Sequence, residues 1–238
     1  YISPNFSFFF IYFLFFFLKK MKLKQIFLLL FFNFLSAIPI FYYIFVLDVN
    51  FLISGSTPGQ SGQQMALNFN LSNKIMIISS IIFFHLSPIL LNNKLYKDFY
   101  HFLLKKKLVL FLPILILTYF FDYQMIYTGG GIFFNLSNLL FSNNFLFFVI
   151  SFFSISFVVF LSYKVLNNFY LLLILIMSNL QNSIYHKYYE PLILIMFFTL
   201  FQGVGEKTFL KDKMNIFYLY ILSIIYILMR LFKIMILV

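Results

Sequence analysis

The chain has no cysteine and no tryptophan, a single arginine (Arg230), six acidic residues, and charge at only 10% of its positions. Each shortage closes off a class of function. Without cysteine there are no disulfides, no thiolate metal sites and no cysteine nucleophile. A soluble domain of ordinary composition carries charge at about a quarter of its positions. With so few charges, this chain cannot cover its own surface with polar groups, so lipid must be the solvent for much of it. What fills its 238 residues is apolar: 63% are hydrophobic, and forty are phenylalanine. Abundant Phe, Ile, Asn and Lys also follow from an AT-rich genome whatever the function, so these frequencies do not point to a site.

The net charge of +11 would suit a nucleic-acid partner if the basic residues formed a domain of their own. They fall instead in short lysine clusters between apolar runs, the pattern of cytoplasmic loops in membrane proteins. A nucleic-acid partner is excluded on that ground, and membrane lipid is the expected partner.

A spanning helix needs about 20 apolar residues. Eight runs approach that length: 1–18, 26–47, 75–91, 108–121 with an extension towards Tyr127, 145–163, 169–180 with Val165 and its neighbours, 191–201 if it begins near His186, and 214–231. Residues 132–141 are apolar but too few to cross, and read as a re-entrant or interfacial piece. In 92–107, Leu95, Phe99, Phe102 and Leu103 recur at helical spacing among lysines, which predicts an amphipathic helix lying in the interface. Residues 63–71 read as a short surface helix. The expected fold is therefore all-α and polytopic, with about eight transmembrane helices forming a single domain over residues 1–238. No internal repeat is visible. The first residue is Tyr1, which suggests an N-terminally truncated fragment. Met21-Lys22-Leu23-Lys24 ahead of an apolar run is an alternative start with the look of a signal peptide, although that run continues to Leu47.

Lysine counts set the orientation. Connections 19–24, 92–107, 164–168 and 202–213 hold four, five, one and three lysines; connections 48–74, 122–144 and 178–190 hold one, none and one. The first set is therefore cytoplasmic and the second external, facing the periplasm of a bacterial inner membrane in preference to the lumen of a eukaryotic endomembrane.

Three acids, Asp48, Asp122 and Glu190, stand at the external mouths of spans. They are either boundary residues, since charge costs least at helix ends, or three groups converging on one external cavity as base, metal ligand or substrate clamp. Asp98, Glu206 and Asp212 sit among cytoplasmic lysines as solvated ion pairs. His85 lies about two-thirds through its span, where a neutral imidazole bonded to a neighbouring helix is the ordinary arrangement. No second ionisable residue stands inside a span to form a proton relay with it. Gly129-Gly130-Gly131 lacks the Lys-Ser/Thr that follows a phosphate loop and reads as a backbone turn at the membrane surface. The Asn-X-Ser triplets at Asn5, Asn70 and Asn135 are expected by chance in so Asn- and Ser-rich a chain. No metal site and no cofactor are assigned.

The densest polar stretch is Ser183-Ile184-Tyr185-His186-Lys187-Tyr188-Tyr189-Glu190-Pro191-Leu192. As a bare helix start it is self-consistent. The tyrosines form an aromatic belt, Pro191 suits a first helical turn, and Glu190 faces the positive end of the helix. The same residues, from His186 to Leu192 and leading into a late span, resemble the short external stretch before a late helix in polytopic glycosyltransferases of the GT-C superfamily. There a His-Lys or Arg-Tyr pair precedes aromatic and apolar residues and a proline. The resemblance covers about ten residues and the general architecture. It implies transfer of a sugar from a polyprenyl-phosphate donor on the outer face of the membrane. Lys187 or His186 would contact the lipid phosphate, Tyr185 and Tyr188 with Gln181 and Asn182 would contact the sugar, and Glu190 would be the catalytic carboxylate. The chain departs from the pattern in placing Glu190 where an apolar residue is usual, and in lacking an early external loop with an acidic catalytic motif. The alternatives are a polysaccharide polymerase or flippase-like transporter, or a non-catalytic subunit of a membrane complex.

Overall fold

The computed structural model describes residues 12, 21–46, 70–124, 129–163, 165–179, 182–203, 217–218, 220–228 and 231. Every regular element among them is helical. Asp48, all of the expected first span but Tyr12, residues 63–69 of the expected surface helix at 63–71, and residues 204–213 of the charged loop at 202–213 lie outside the described residues. The chain divides into two compact units, one of residues 1–69 with 177–183 and one of residues 70–176 with 184–238.

The first unit holds α1, Leu23–Phe45, which overlaps the span expected at 26–47. Most of its described apolar side chains, among them Phe27, Phe31, Phe32 and Phe34, are exposed.

The second unit is built on α2, Leu71–Leu86, continued by a 3-10 turn, Ser87–Leu91. The turn has a local cause. Pro88 has no N–H to offer the carbonyl of Phe84, and the hydroxyl of Ser87 donates to that carbonyl instead, at 3.2 Å. Against α2 pack α3 (Asn93–Tyr119), α4 (Gly131–Phe141), α5 (Phe145–Tyr163) and α7 (His186–Thr199), and α6 (Leu166–Met177) follows α5 in the chain. Positions 220–228 are also helical.

The α2–α5 pairing is the most extensive among the described helices. Phe147, Ser151, Ser154, Ile155, Val158 and Leu161 of α5 recur at three- and four-residue spacing and are buried, as are Ser79 and Ser80 of α2. Small serines let two helix backbones approach closely, the usual device where lipid leaves no hydrophobic drive between helices. Two polar clasps set the ends. Ser137 donates to the carbonyl of Asn143 at 2.7 Å and accepts from the N–H of Phe147 at 3.1 Å, joining α4 to α5. The fully buried Asn168 donates to the carbonyls of Leu161 and Gln202 and accepts from the N–H of Gln202. It thereby ties the end of α5 and the start of α6 to the segment after α7.

Among the described residues, two helices are long and apolar enough to cross a membrane, 71–91 and 145–163. The stretches 23–35, 131–141, 166–177 and 188–199 are apolar but shorter. Two boundaries differ from the sequence expectation, and one proline takes a different helical position. Helix α2 starts at Leu71, not Ile75, because Asn70 caps it by accepting from the N–H of Asn73 at 3.2 Å. The expected interfacial helix at 92–107 and the span at 108–121 are one continuous helix, α3, capped by Asn92. Nothing between Lys107 and Leu108 breaks a helix, since both are good helix formers. Helix α7 begins at His186, so Pro191 sits beyond the first turn and cannot donate to the carbonyl of Lys187.

Candidate functional site at the start of α7

Two breaks in helical structure meet beside α2. Gly129, Gly130 and Gly131 take φ values of 117°, 81° and 76°, open to glycine and strained for other residues. The side-chain amide of Asn135 donates to the carbonyls of Gly129 and Gly131 at 2.8 and 2.6 Å and closes this turn. The N–H of Gly130 donates to the carbonyl of Ile184 at 3.0 Å, and the N–H of Ile184 donates to the buried hydroxyl of Tyr123 at 3.2 Å. A side chain at Gly129 would run into the backbone of Ile184, meeting its carbonyl oxygen and lying 2.9 Å from its carbonyl carbon. Gly129 is therefore required by a close approach of two backbones.

The turn packs beside the middle of α2: a Cβ at Gly131 would meet Ile81 at 3.2 Å, ten residues beyond Leu71, or about 15 Å of helical rise.

Helix α7 starts two residues after Ile184, and its first side chain makes the central contact of the site. The Nε2 atoms of His186 and His85 are 2.8 Å apart. Both imidazoles are buried. At this distance one nitrogen donates and the other accepts, so a single proton lies between the rings. Phe84 packs edge-on to His186 at 5.7 Å and to Phe133 of α4 at 5.8 Å, and Tyr226 stacks on His186 at 4.7 Å and 18°. The other ring nitrogen of His186, Nδ1, is buried with no hydrogen-bond partner among the described residues. A buried polar atom left in this state costs roughly 1–3 kcal/mol.

Glu190 follows His186 by four residues and shares its face of α7. One ligand atom from each of His85, His186 and Glu190 lies within 4.8 Å of the other two. Glu190 is half-buried, Tyr188 is exposed, and the Tyr185 and Tyr188 rings meet edge-to-face at 5.5 Å. The side chain of Lys187 and all of Gln181 lie outside the described residues.

The expected site residues thus divide. His186, Glu190, Tyr185 and Tyr188 share the first turns of α7. Asp122 stands elsewhere. Its carboxylate accepts from the amides of Asn73 and Asn70 at 2.6 and 2.8 Å, and its N–H donates to Asn73 at 3.1 Å. Asn73 and His85 are twelve residues apart on α2, about 18 Å of helical rise. Asp122 therefore fastens the start of α2, at the end of the helix away from His85.

The residue that spacing did not assign to the site is His85. The sequence shows it as a histidine in an apolar span. It gives no sign of which of the other helices supplies the partner, because that partner is 101 residues away. A second titratable side chain does meet His85, contrary to the expectation that none would. His186 had been counted with the external loop. In the structure its ring meets α2 some 21 Å of helical rise from Leu71.

No protein-family model, no curated protein and no solved structure matches the chain.

Proposed function

We propose that the chain is a multi-pass membrane protein of glycosyltransferase type, which takes a sugar from a polyprenyl-phosphate donor through a recess opening on the external face, in a bacterial inner membrane. The observation that carries this reading is the meeting of two helix starts in an otherwise apolar bundle. Helices α4 and α7 begin at Gly131 and His186, next to the hydrogen bond between Gly130 and Ile184. Neither N-cap residue, Gly130 or Tyr185, caps its helix with a side chain. First-turn N–H groups and the positive end of the helix dipole favour an anion, and broken helices are a common way to bring such ends into a membrane. A lipid phosphate has the matching charge. Lys187, one residue into α7, adds a cation, and the paired Tyr185 and Tyr188 rings offer aromatic faces to a sugar. Glu190 is the carboxylate available to take the proton of an acceptor hydroxyl.

The exposed apolar residues of α3, including Leu108, Val109, Phe111, Leu112 and Leu115, support a lipid-facing surface. So do the exposed phenylalanines of α1. Patches of this kind are rare on soluble monomers.

The test is transfer of labelled sugar from a polyprenyl-phosphate donor by the full chain in liposomes. Loss of transfer in Glu190→Gln and in Lys187→Ala is expected. Full activity in both variants contradicts the site.

A further inference from the structure

We infer that His85, His186 and Glu190 form a binding site for a divalent transition-metal ion of the zinc class, which links α2 to α7. Three features of the cluster carry this. First, the ligand atoms converge: all lie within 4.8 Å of one another, and they come from two helices. Second, the donor types agree. Two imidazoles and one carboxylate are borderline and hard ligands suited to zinc and its neighbours, whereas magnesium and calcium prefer oxygen-only sets. Third, the two imidazoles are aimed at one point in a buried setting, with His186 only 7% exposed. The two Nε2 atoms face each other with room for one proton between them. A cation replaces that proton and takes a lone pair from each ring.

The geometry is close to what this requires. Zinc–nitrogen bonds of about 2.0–2.1 Å at a tetrahedral angle put two nitrogens roughly 3.3 Å apart. The present separation is 2.8 Å. The rings therefore part by about half an ångström on loading, a shift that side-chain torsions supply. Glu190 is already one helical turn from His186 and need only turn its carboxylate inwards. Three protein ligands leave a fourth position for water or a substrate oxygen, the arrangement of zinc sites that keep an open position. Among the described residues this is the one grouping of three such side chains. The site lies at the start of α7 and near the glycine turn, so occupancy fixes the position of Tyr185 and Tyr188.

The inference does not rest on the transferase reading, since the cluster can hold a cation whatever the chain acts on. It is tested on the full-length chain purified in detergent without a polyhistidine tag. After zinc loading and removal of free metal, elemental analysis is expected to give about one zinc per chain. Zinc should raise the unfolding temperature and a chelator should lower it. Cobalt in place of zinc should give a visible ligand-field band. His85→Ala and Glu190→Gln should each weaken zinc binding roughly tenfold or more, with the cobalt band lost or shifted. A wild-type chain that retains no zinc, shows no change in unfolding temperature and gives no cobalt band overturns the site and leaves a hydrogen-bonded histidine pair. Full zinc affinity in both variants overturns the ligand assignment. Zinc binding without sugar transfer would uphold the site and contradict the transferase reading, and sugar transfer by a chain that binds no zinc would contradict the site and uphold that reading.

Discussion

His85 and His186 approach to 2.8 Å between Nε2 atoms across 101 residues of chain, and this contact joins the central helix α2 to the start of α7. Both rings are buried, so removing one leaves the other without its partner. In metal-free buffer, His85→Leu is expected to destabilise the chain by about 1–3 kcal/mol. The double variant His85→Leu/His186→Leu should cost less than the sum of the two single changes, with a coupling of roughly 0.5–3 kcal/mol. Equilibrium unfolding in mild detergent measures this. Strict additivity contradicts the pairing.

Gly129 lies against the backbone of Ile184 with φ at 117°. Gly129→Ala is expected to cost about 1–3 kcal/mol from the backbone conformation alone, and the collision with Ile184 adds to this. Gly203 also has a positive φ, of 74°, but is exposed, and the nearest atom to an added Cβ is a side-chain methyl of Val165 at 3.1 Å. Gly203→Ala should therefore be milder. Equal unfolding temperatures for the two variants would contradict the close approach at Gly129.

Asp122 is assigned to stability. Asn73→Ala removes one of the two amides on the Asp122 carboxylate and the partner of the Asp122 N–H. The expected loss is roughly 1.5–3 kcal/mol, as for hydrogen bonds to a charged group. Zinc affinity should be unchanged in this variant, because the site lies some 18 Å further along α2. A large fall in zinc affinity with unchanged stability would reverse the assignment.

The orientation inferred from lysine counts is testable in this cysteine-free background. Ser142 lies between α4 and α5, Lys97 lies on α3, and both are exposed. Ser142→Cys should react with an impermeant thiol reagent from outside the cell and Lys97→Cys only after the membrane is opened. Labelling of both from one side contradicts the map.

The differences between sequence and structure have physical causes. Residues 145–163 were found to the residue because polar Ser142-Asn143-Asn144 precedes them and Lys164 follows, so the end of the apolar run and the end of the helix coincide. The start of α2 was missed because Lys74 was taken as a boundary, whereas the start is set by Asn70, a cap that hydropathy does not register. The start of α7 at His186 is where the late span needed to begin, but Pro191, expected in the first turn, is the sixth residue of the helix. Because α7 starts at His186, the four-residue spacing puts His186 and Glu190 on one helix face. Their meeting with His85 depends on how α7 packs on α2, and no local pattern encodes that. For the same reason Asp122 and Glu190 looked alike in the sequence, and only packing separates them.

The most direct measurement is the initial rate of sugar transfer from a labelled polyprenyl-phosphate donor in liposomes, comparing His85→Gln and Glu190→Gln with Asp122→Asn. If the cluster at the start of α7 is the working centre, the first two variants lose at least about tenfold, equivalent to roughly 1.4 kcal/mol of transition-state stabilisation, and Asp122→Asn stays near the wild-type rate. Wild-type rates in both His85→Gln and Glu190→Gln would contradict it.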